Sequence, residues 1–121
     1  MRILSLNIRH GGGQRVGKLL DYLLASDADV PAISEFRRGA TGDALCNGLT
    51  AGGYLSCLIP PSRRGENAVL LATRAGSEPL QLAVPQGEQR RLIGARVHGI
   101  DVQSVYMSLG EAKLPLFKHF L

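Results

Sequence analysis

Met1-Arg-Ile-Leu-Ser-Leu-Asn7 and Val30-Pro-Ala-Ile-Ser-Glu35 are two short apolar runs, and each ends on a polar side chain. Between them Val16, Leu19, Leu20, Leu23 and Leu24 fall at i, i+3, i+4, i+7 and i+8, the single apolar stripe of a helix of about three turns. Arg15, Lys18 and Asp21 take its wet face. A strand, a crossover helix and a second strand make a parallel pair, and both strands then end at one edge of the sheet, where open α/β sheets bind ligands. Asn7 and Glu35 are therefore expected to be neighbours.

The chain has 121 residues, enough for one domain over 1–121 with one core. At 45% hydrophobic and 20% charged it falls among ordinary globular proteins and outside the disordered and fibrous classes. A formal net charge of +4 and a pI near 9.5 allow an anionic partner, but the Lys and Arg residues are scattered and form no long basic tract. Cys46 and Cys57 are too few for a disulfide framework and lack zinc-site spacing, so they read as small buried hydrophobes. No signal-peptide core or run of ~20 apolar residues occurs, which makes a cytoplasmic enzyme or binding domain the default expectation.

Ile8 to Gly13 reads as a loop, since Gly11-Gly12-Gly13 has too much backbone freedom for a helix interior. Pro31 cannot donate to a ladder and belongs near its strand's start or at a gap in pairing. The pattern further predicts a helix over 43–49 with Leu45 and Leu49 on one face, a strand over 54–59 and a buried strand over 67–73. One edge strand is expected within 76–88, after which the sheet turns antiparallel. Residues 92–97 and 100–106 form a hairpin about His98-Gly99, and 113–121 begin a last helix with Pro115 in its first turn. The fold class is α/β, a mixed sheet with flanking helices.

Gly12-Gly13-Gln-Arg-Val-Gly17-Lys18-Leu19 nearly matches a phosphate-binding P-loop, but Leu19 stands where a Ser or Thr hydroxyl must reach Mg²⁺. A P-loop nucleotide binder is thus the weakest of three functional readings. The meeting of Asn7 and Glu35 is more informative. It brings an amide oxygen and a carboxylate to one edge, and Mg²⁺ prefers such hard oxygen ligands, needing one or two carboxylates plus waters and substrate phosphate.

Met1 to Ile8, the helix, Asp29-Val-Pro-Ala-Ile-Ser-Glu35-Phe-Arg37, Asn67-Ala-Val-Leu-Leu-Ala-Thr73 and Val105-Tyr106 resemble, in order and spacing, the first half of the endonuclease/exonuclease/phosphatase superfamily. Members of that superfamily include deoxyribonuclease-like enzymes, abasic-site endonucleases, sphingomyelinases and inositol-phosphate phosphatases. The resemblance implies half of a four-layer α/β sandwich, an N-terminal lobe that is apparently truncated, and Mg²⁺, or Mn²⁺ in its place, as cofactor. By it, Asn7 matches the asparagine that orients the phosphate and the metal shell, and Glu35 the glutamate that binds the metal. Tyr106 falls near the scissile phosphate, against a plain reading as a strand-end aromatic, and Asn67 is a weaker match on the substrate side. Of the histidines only His10 approaches this site, with phosphate contact and loop solvation as its two readings.

Three departures qualify the match. Ser34 replaces a frequent glutamine, Met107-Ser108 replaces a proline-containing turn, and the aspartate/asparagine and aspartate-histidine pairs belong to a second half that these residues do not include. The leading expectation is a metal-dependent phosphoesterase, a hydrolase of phosphodiester or phosphomonoester bonds, nearly inactive alone because general-base catalysis commonly contributes about 10²- to 10⁴-fold. Self-association or a second lobe would then cover an exposed sheet face. The alternative is a non-catalytic anion- or nucleic-acid-binding module.

Overall fold

A computed structural model describes residues 1–107 and residue 118. The helix expected over 113–121, with His119, lies outside the described residues. Strand β1 (Ile3–Asn7) pairs in parallel with β2 (Val30–Phe36), and helix α1 (Val16–Ser26) crosses between them after a 3-10 turn over Gly13–Arg15. Leu23 of the α1 stripe is fully buried, and Val16, Leu19, Leu20 and Leu24 pack around the same core. Asp27 ends the helix in a left-handed conformation, with its N–H on the Leu24 carbonyl.

Helix α2 (Ala40–Ala51) is longer than its apolar pattern, with Leu45 and Leu49 buried as expected. Strand β3 (Ser56–Leu58) is shorter than the apolar run that predicts it. Tyr54 is drawn out of the strand because its hydroxyl donates to the Ala28 carbonyl at 2.6 Å. Strand β4 (Ala68–Thr73) is buried at all six positions. The first sheet has the order β1-β2-β4-β3, with β4 antiparallel to both neighbours. The turn to antiparallel pairing thus comes at β4, ahead of the edge strand that was expected to precede it. Pro31 sits before the β2–β4 ladder begins at Ala32, where no donor is missed.

Strand β5 (Glu78–Pro79), β6 (Leu92–Val97) and β7 (Ile100–Val105) form a separate antiparallel sheet. His98 and Gly99 both take positive φ, 50° and 76°, the backbone of the two-residue turn that matches strand twist.

Three layers result. Leu23, Ile33, Phe36, Leu45, Leu49, Tyr54 and Leu70 pack between the helices and the first sheet. Val30, Leu71, Ala95, Val97 and Val102 pack between the two sheets. Alternation along β4 feeds both cores, which explains its unbroken apolar run. The sheet face expected to lie open is therefore covered over β2 and β4. Among the described residues the large apolar side chains left exposed are Met1 and Ile3 at β1, Tyr22 on α1, Leu55 before β3, and Ile100 and Val105 on β7. Cys46 and Cys57, expected to be buried, are half-buried.

Candidate functional site

The parallel register sets Asn7 opposite Ser34, one residue before Glu35. A bulge between Ser34 and Phe36 drops Glu35 out of the ladder to β4, and Glu35 takes φ 58°. Bulges re-aim side chains in this way at strand ends, and a non-glycine residue held at positive φ stores strain that the surrounding structure must enforce. Enforcement comes from the loop after β1. Ile8 N–H donates to the Ser34 carbonyl at 3.1 Å and Gly11 N–H to the Glu35 carbonyl at 2.7 Å. Gly11 itself has φ 78°, and a Cβ there would press on Arg37 Cβ at 3.1 Å, so the close approach needs glycine.

The Glu35 carboxylate is partly buried and Oε1 accepts from His10 N–H at 3.3 Å and Asn67 Nδ2 at 3.4 Å. The Asn7 side-chain amide beside it is the main reason its carboxyl is held below the usual range. The His10 backbone amide and the charge of Arg37 act the same way, against the opposing effect of burial. Asn7 Oδ1 accepts from Arg9 N–H at 2.9 Å, so it is the Asn7 amide nitrogen that faces Glu35. Arg37 closes the ring: Nε donates to Asn67 Oδ1 at 2.7 Å and Nη2 to His10 Nδ1 at 3.0 Å. A guanidinium can only donate, so Nδ1 accepts and the imidazole proton resides on Nε2.

Asn7, His10, Glu35 and Asn67 thus meet in one network; the crossover places Asn7 beside Glu35 as expected, and the structure adds His10 and Asn67 to them. Tyr106 stands further along the same edge. Arg90 donates to the Asn67 carbonyl at 2.9 Å, and the next residue, Arg91, lies 5.1 Å over the Tyr106 ring while its carbonyl accepts Tyr106 N–H. The described contacts reach Tyr106 through Arg91, with none joining it to Glu35. His98, at the far end of β6, faces a different cleft with Glu78 and Arg96.

The residues that the sequence does not single out are arginines. Arg9 follows β1, Arg37 and Arg38 follow β2, Arg63 and Arg64 precede β4, and Arg90 and Arg91 precede β6. Strand directions bring all of these loops to the Glu35 edge. His10, Arg37, Arg38 and Arg64 line a cleft of about 380 Å³, and Arg63, Glu66 and Arg90 line another of about 570 Å³. The only sequence signal for Arg37 is its place two residues after Glu35.

The backbone of the 12–19 stretch is engaged within its own turn. Within the motif the Gly12 amide donates to the Arg9 carbonyl, Arg15 to Gly12 and Val16 to Gly13, and just before it Gly11 donates to Glu35. Lys18 points to solvent and Leu19 packs on the core.

Among the described residues no group of three His, Cys, Asp or Glu side chains gathers to hold a metal. A single ionised carboxylate beside amide groups still suits Mg²⁺, which is commonly held by one or two carboxylates and completed by water and substrate phosphate. The donors among the described residues fit a shared site and are too few for a closed one.

No family model and no curated protein matches the sequence. Solved structures are. The chain aligns with the 3′ phosphatase NExo from Neisseria, solved bound to product DNA hairpin, at 26% identity and TM-score 0.72, over 98% of this chain and 46% of that one. An AP endonuclease from Archaeoglobus fulgidus aligns at 21% identity and TM-score 0.70, over 98% and 48%. The fold is that of the endonuclease/exonuclease/phosphatase superfamily. A superfamily protein from Beutenbergia cavernae aligns at 19% identity and TM-score 0.60, again over 98% of this chain and only 41% of its own. The chain thus spans less than half the length of these superfamily structures.

Proposed function

We propose that this chain supplies the metal- and phosphate-holding part of a divalent-metal-dependent phosphoesterase, with a polyanionic phosphate ester such as nucleic acid as substrate. One observation carries the reading. Glu35 is ionised and held by neutral donors, Asn7, Asn67 and a backbone N–H, while the arginines of the same edge stand back from it. Its charge is left uncompensated by any direct arginine pair. At 4 Å and an effective dielectric of 20, two unit charges interact by about 4 kcal/mol. A bare carboxylate so placed repels a phosphate that the arginines attract, and a divalent cation between them resolves the conflict.

When bound, Mg²⁺ or Mn²⁺ would supply Lewis-acid polarisation of the phosphoryl oxygen, with Glu35 as its protein ligand. Asn7 orients the carboxylate, Arg37 fixes Asn67 and His10, and His10 offers its Nε2 proton to a phosphate oxygen. Tyr106 offers its hydroxyl further along the edge. In this reading a second lobe or a second copy contributes the group that activates water, and the 121 residues alone are nearly inactive.

Titration of Mg²⁺ into the chain with and without a short oligonucleotide tests this. Binding of each should strengthen the other, by the same factor, and Glu35→Gln should remove the coupling. Coupling unchanged in Glu35→Gln refutes it. A second reading, a non-catalytic anion-binding module, is favoured by the arginine edge. It predicts salt-sensitive binding that ignores both Mg²⁺ and Glu35→Gln.

A further inference from the structure

Away from the Glu35 network, Cys46 in the middle of α2 faces Cys57 in the middle of β3. Their Sγ atoms are 3.1 Å apart, with the Cys57 thiol donating to the Cys46 sulfur. Both are half-buried at the rim of the helix-side core, within reach of a small solute. A disulfide holds its sulfurs about 2 Å apart, so closure needs an approach of about 1 Å. The two are the only cysteines of the chain, so neither has a competing intramolecular partner.

We propose that Cys46 and Cys57 form a reversible oxidation site that closes to an intramolecular disulfide on exposure to hydrogen peroxide. The Cys46 thiol loses its proton, and the thiolate attacks a peroxide oxygen to give a sulfenic acid and hydroxide. The Cys57 sulfur then displaces the sulfenic hydroxyl, forming the S–S bond and releasing water, while hydroxide takes up the first proton as a second water. Two thiols are oxidised and one peroxide is reduced.

The roles follow from the contact between the thiols. The hydrogen bond from Cys57 holds the Cys46 thiol below its ordinary range, with Arg38 helping and Asp43 and burial opposing. The same bond, with burial, pushes the Cys57 thiol up. Thiolate character selects the sulfur that oxidises first, and Cys57 resolves it.

The bond would tie α2 to β3, the stems of two arginine loops. Arg38 already joins those loops, through Nη2 to the Pro60 carbonyl and Nε to Ser62 Oγ, both at 3.0 Å. Closing this short segment should raise the thermal midpoint by on the order of 10 °C.

The test treats the whole chain with one equivalent of hydrogen peroxide, alkylates with iodoacetamide and weighs it intact. The expected product takes up no label, has lost two hydrogen atoms, yields one peptide joining Cys46 to Cys57, melts higher, and reverts with dithiothreitol. Cys46→Ser and Cys57→Ser should neither form the linked peptide nor gain the rise in midpoint. Two labelled thiols after oxidation, disulfides only between chains, or sulfinic acid at Cys46 beside a free Cys57 would each overturn the proposal. Should a serine variant fail to fold, the mass and dithiothreitol reversal of the unsubstituted chain decide alone.

Discussion

Gly42→Ala sets two opposing effects against each other beside the site. Gly42 is buried in the first turn of α2, where alanine is intrinsically favoured over glycine by about 1 kcal/mol. An added Cβ would lie 2.2 Å from the Arg37 carbonyl oxygen and 2.8 Å from Phe36 Cζ. Neither obstacle can swing aside. One is backbone, and the other is a ring 1% exposed in the core. Overpacking of this kind costs about 1–3 kcal/mol, and a backbone obstacle puts the cost at the upper end, for a net loss of about 1–2 kcal/mol. With a urea slope near 1.5 kcal/mol/M, the midpoint should fall by about 1 M. Gly17→Ala in α1 is the control, because a Cβ there meets nothing within 4 Å. It should leave the midpoint unchanged or raise it by a few tenths of a molar, reflecting a gain below about 1 kcal/mol. A Gly42→Ala midpoint at or above that of the unsubstituted chain refutes the packing argument.

Three further outcomes are expected. Tyr54→Phe removes the donor to the Ala28 carbonyl and the acceptor for Arg74 Nη2 at 3.2 Å, so chemical denaturation should show a loss of about 1–2 kcal/mol. Glu35 has its carboxyl held low in the folded chain, so its contribution to stability is full above the unfolded value of about 4.3 and is lost as pH falls toward the lower folded value. Urea midpoints measured at pH 7 and pH 3 should therefore drop less in Glu35→Gln than in the parent, and an equal drop would count against the carboxylate network. His98→Asn places a residue tolerant of positive φ in the hairpin turn, away from the site, and should raise the denaturation midpoint by a few tenths of a kcal/mol equivalent without changing anion binding.

The features legible in the sequence are those fixed by nearby residues or by a general rule of connection. The stripe of α1 is a local periodicity, and His98-Gly99 is a local turn. The meeting of Asn7 with Glu35 follows from the crossover rule once two strands and a helix are recognised. What stays hidden depends on distant partners. The bulge at Glu35 is a mismatch of register between β2 and β4, and no residue of β2 signals where β4 will pair. The short β3 reflects a hydrogen bond from Tyr54 to Ala28, a contact between segments with no shared pattern. The separate second sheet is hidden for the same reason: the unbroken burial of β4 is equally consistent with a helix layer or a sheet on its second face.

The arginines show how topology makes a charged surface out of a dispersed sequence. Read along the chain they form no tract. The parallel β1–β2 pair sends Arg9, Arg37 and Arg38 to one edge, and the reversal of β4 brings Arg63 and Arg64 back to it from the opposite direction. The β6–β7 hairpin adds Arg90 and Arg91, tied in by the Asn67 carbonyl. Acids answer part of this charge at both edges: Arg90 lies 3.6 Å from Glu66 and Arg91 2.8 Å from Glu88 here, and Arg74 pairs with Asp27 and Arg96 with Asp101, at 2.9 Å and 2.7 Å, at the far edge. Among the described residues Arg9, Arg37, Arg38, Arg63 and Arg64 have no carboxylate ion pair, so much of the formal charge of +4 stands around Glu35. Clefts lined by one sign of charge draw oppositely charged solutes and raise their encounter rate. The edge that attracts anions therefore also holds the Glu35 carboxylate, which among the described residues pairs directly with no arginine, and the same strand directions dictate both.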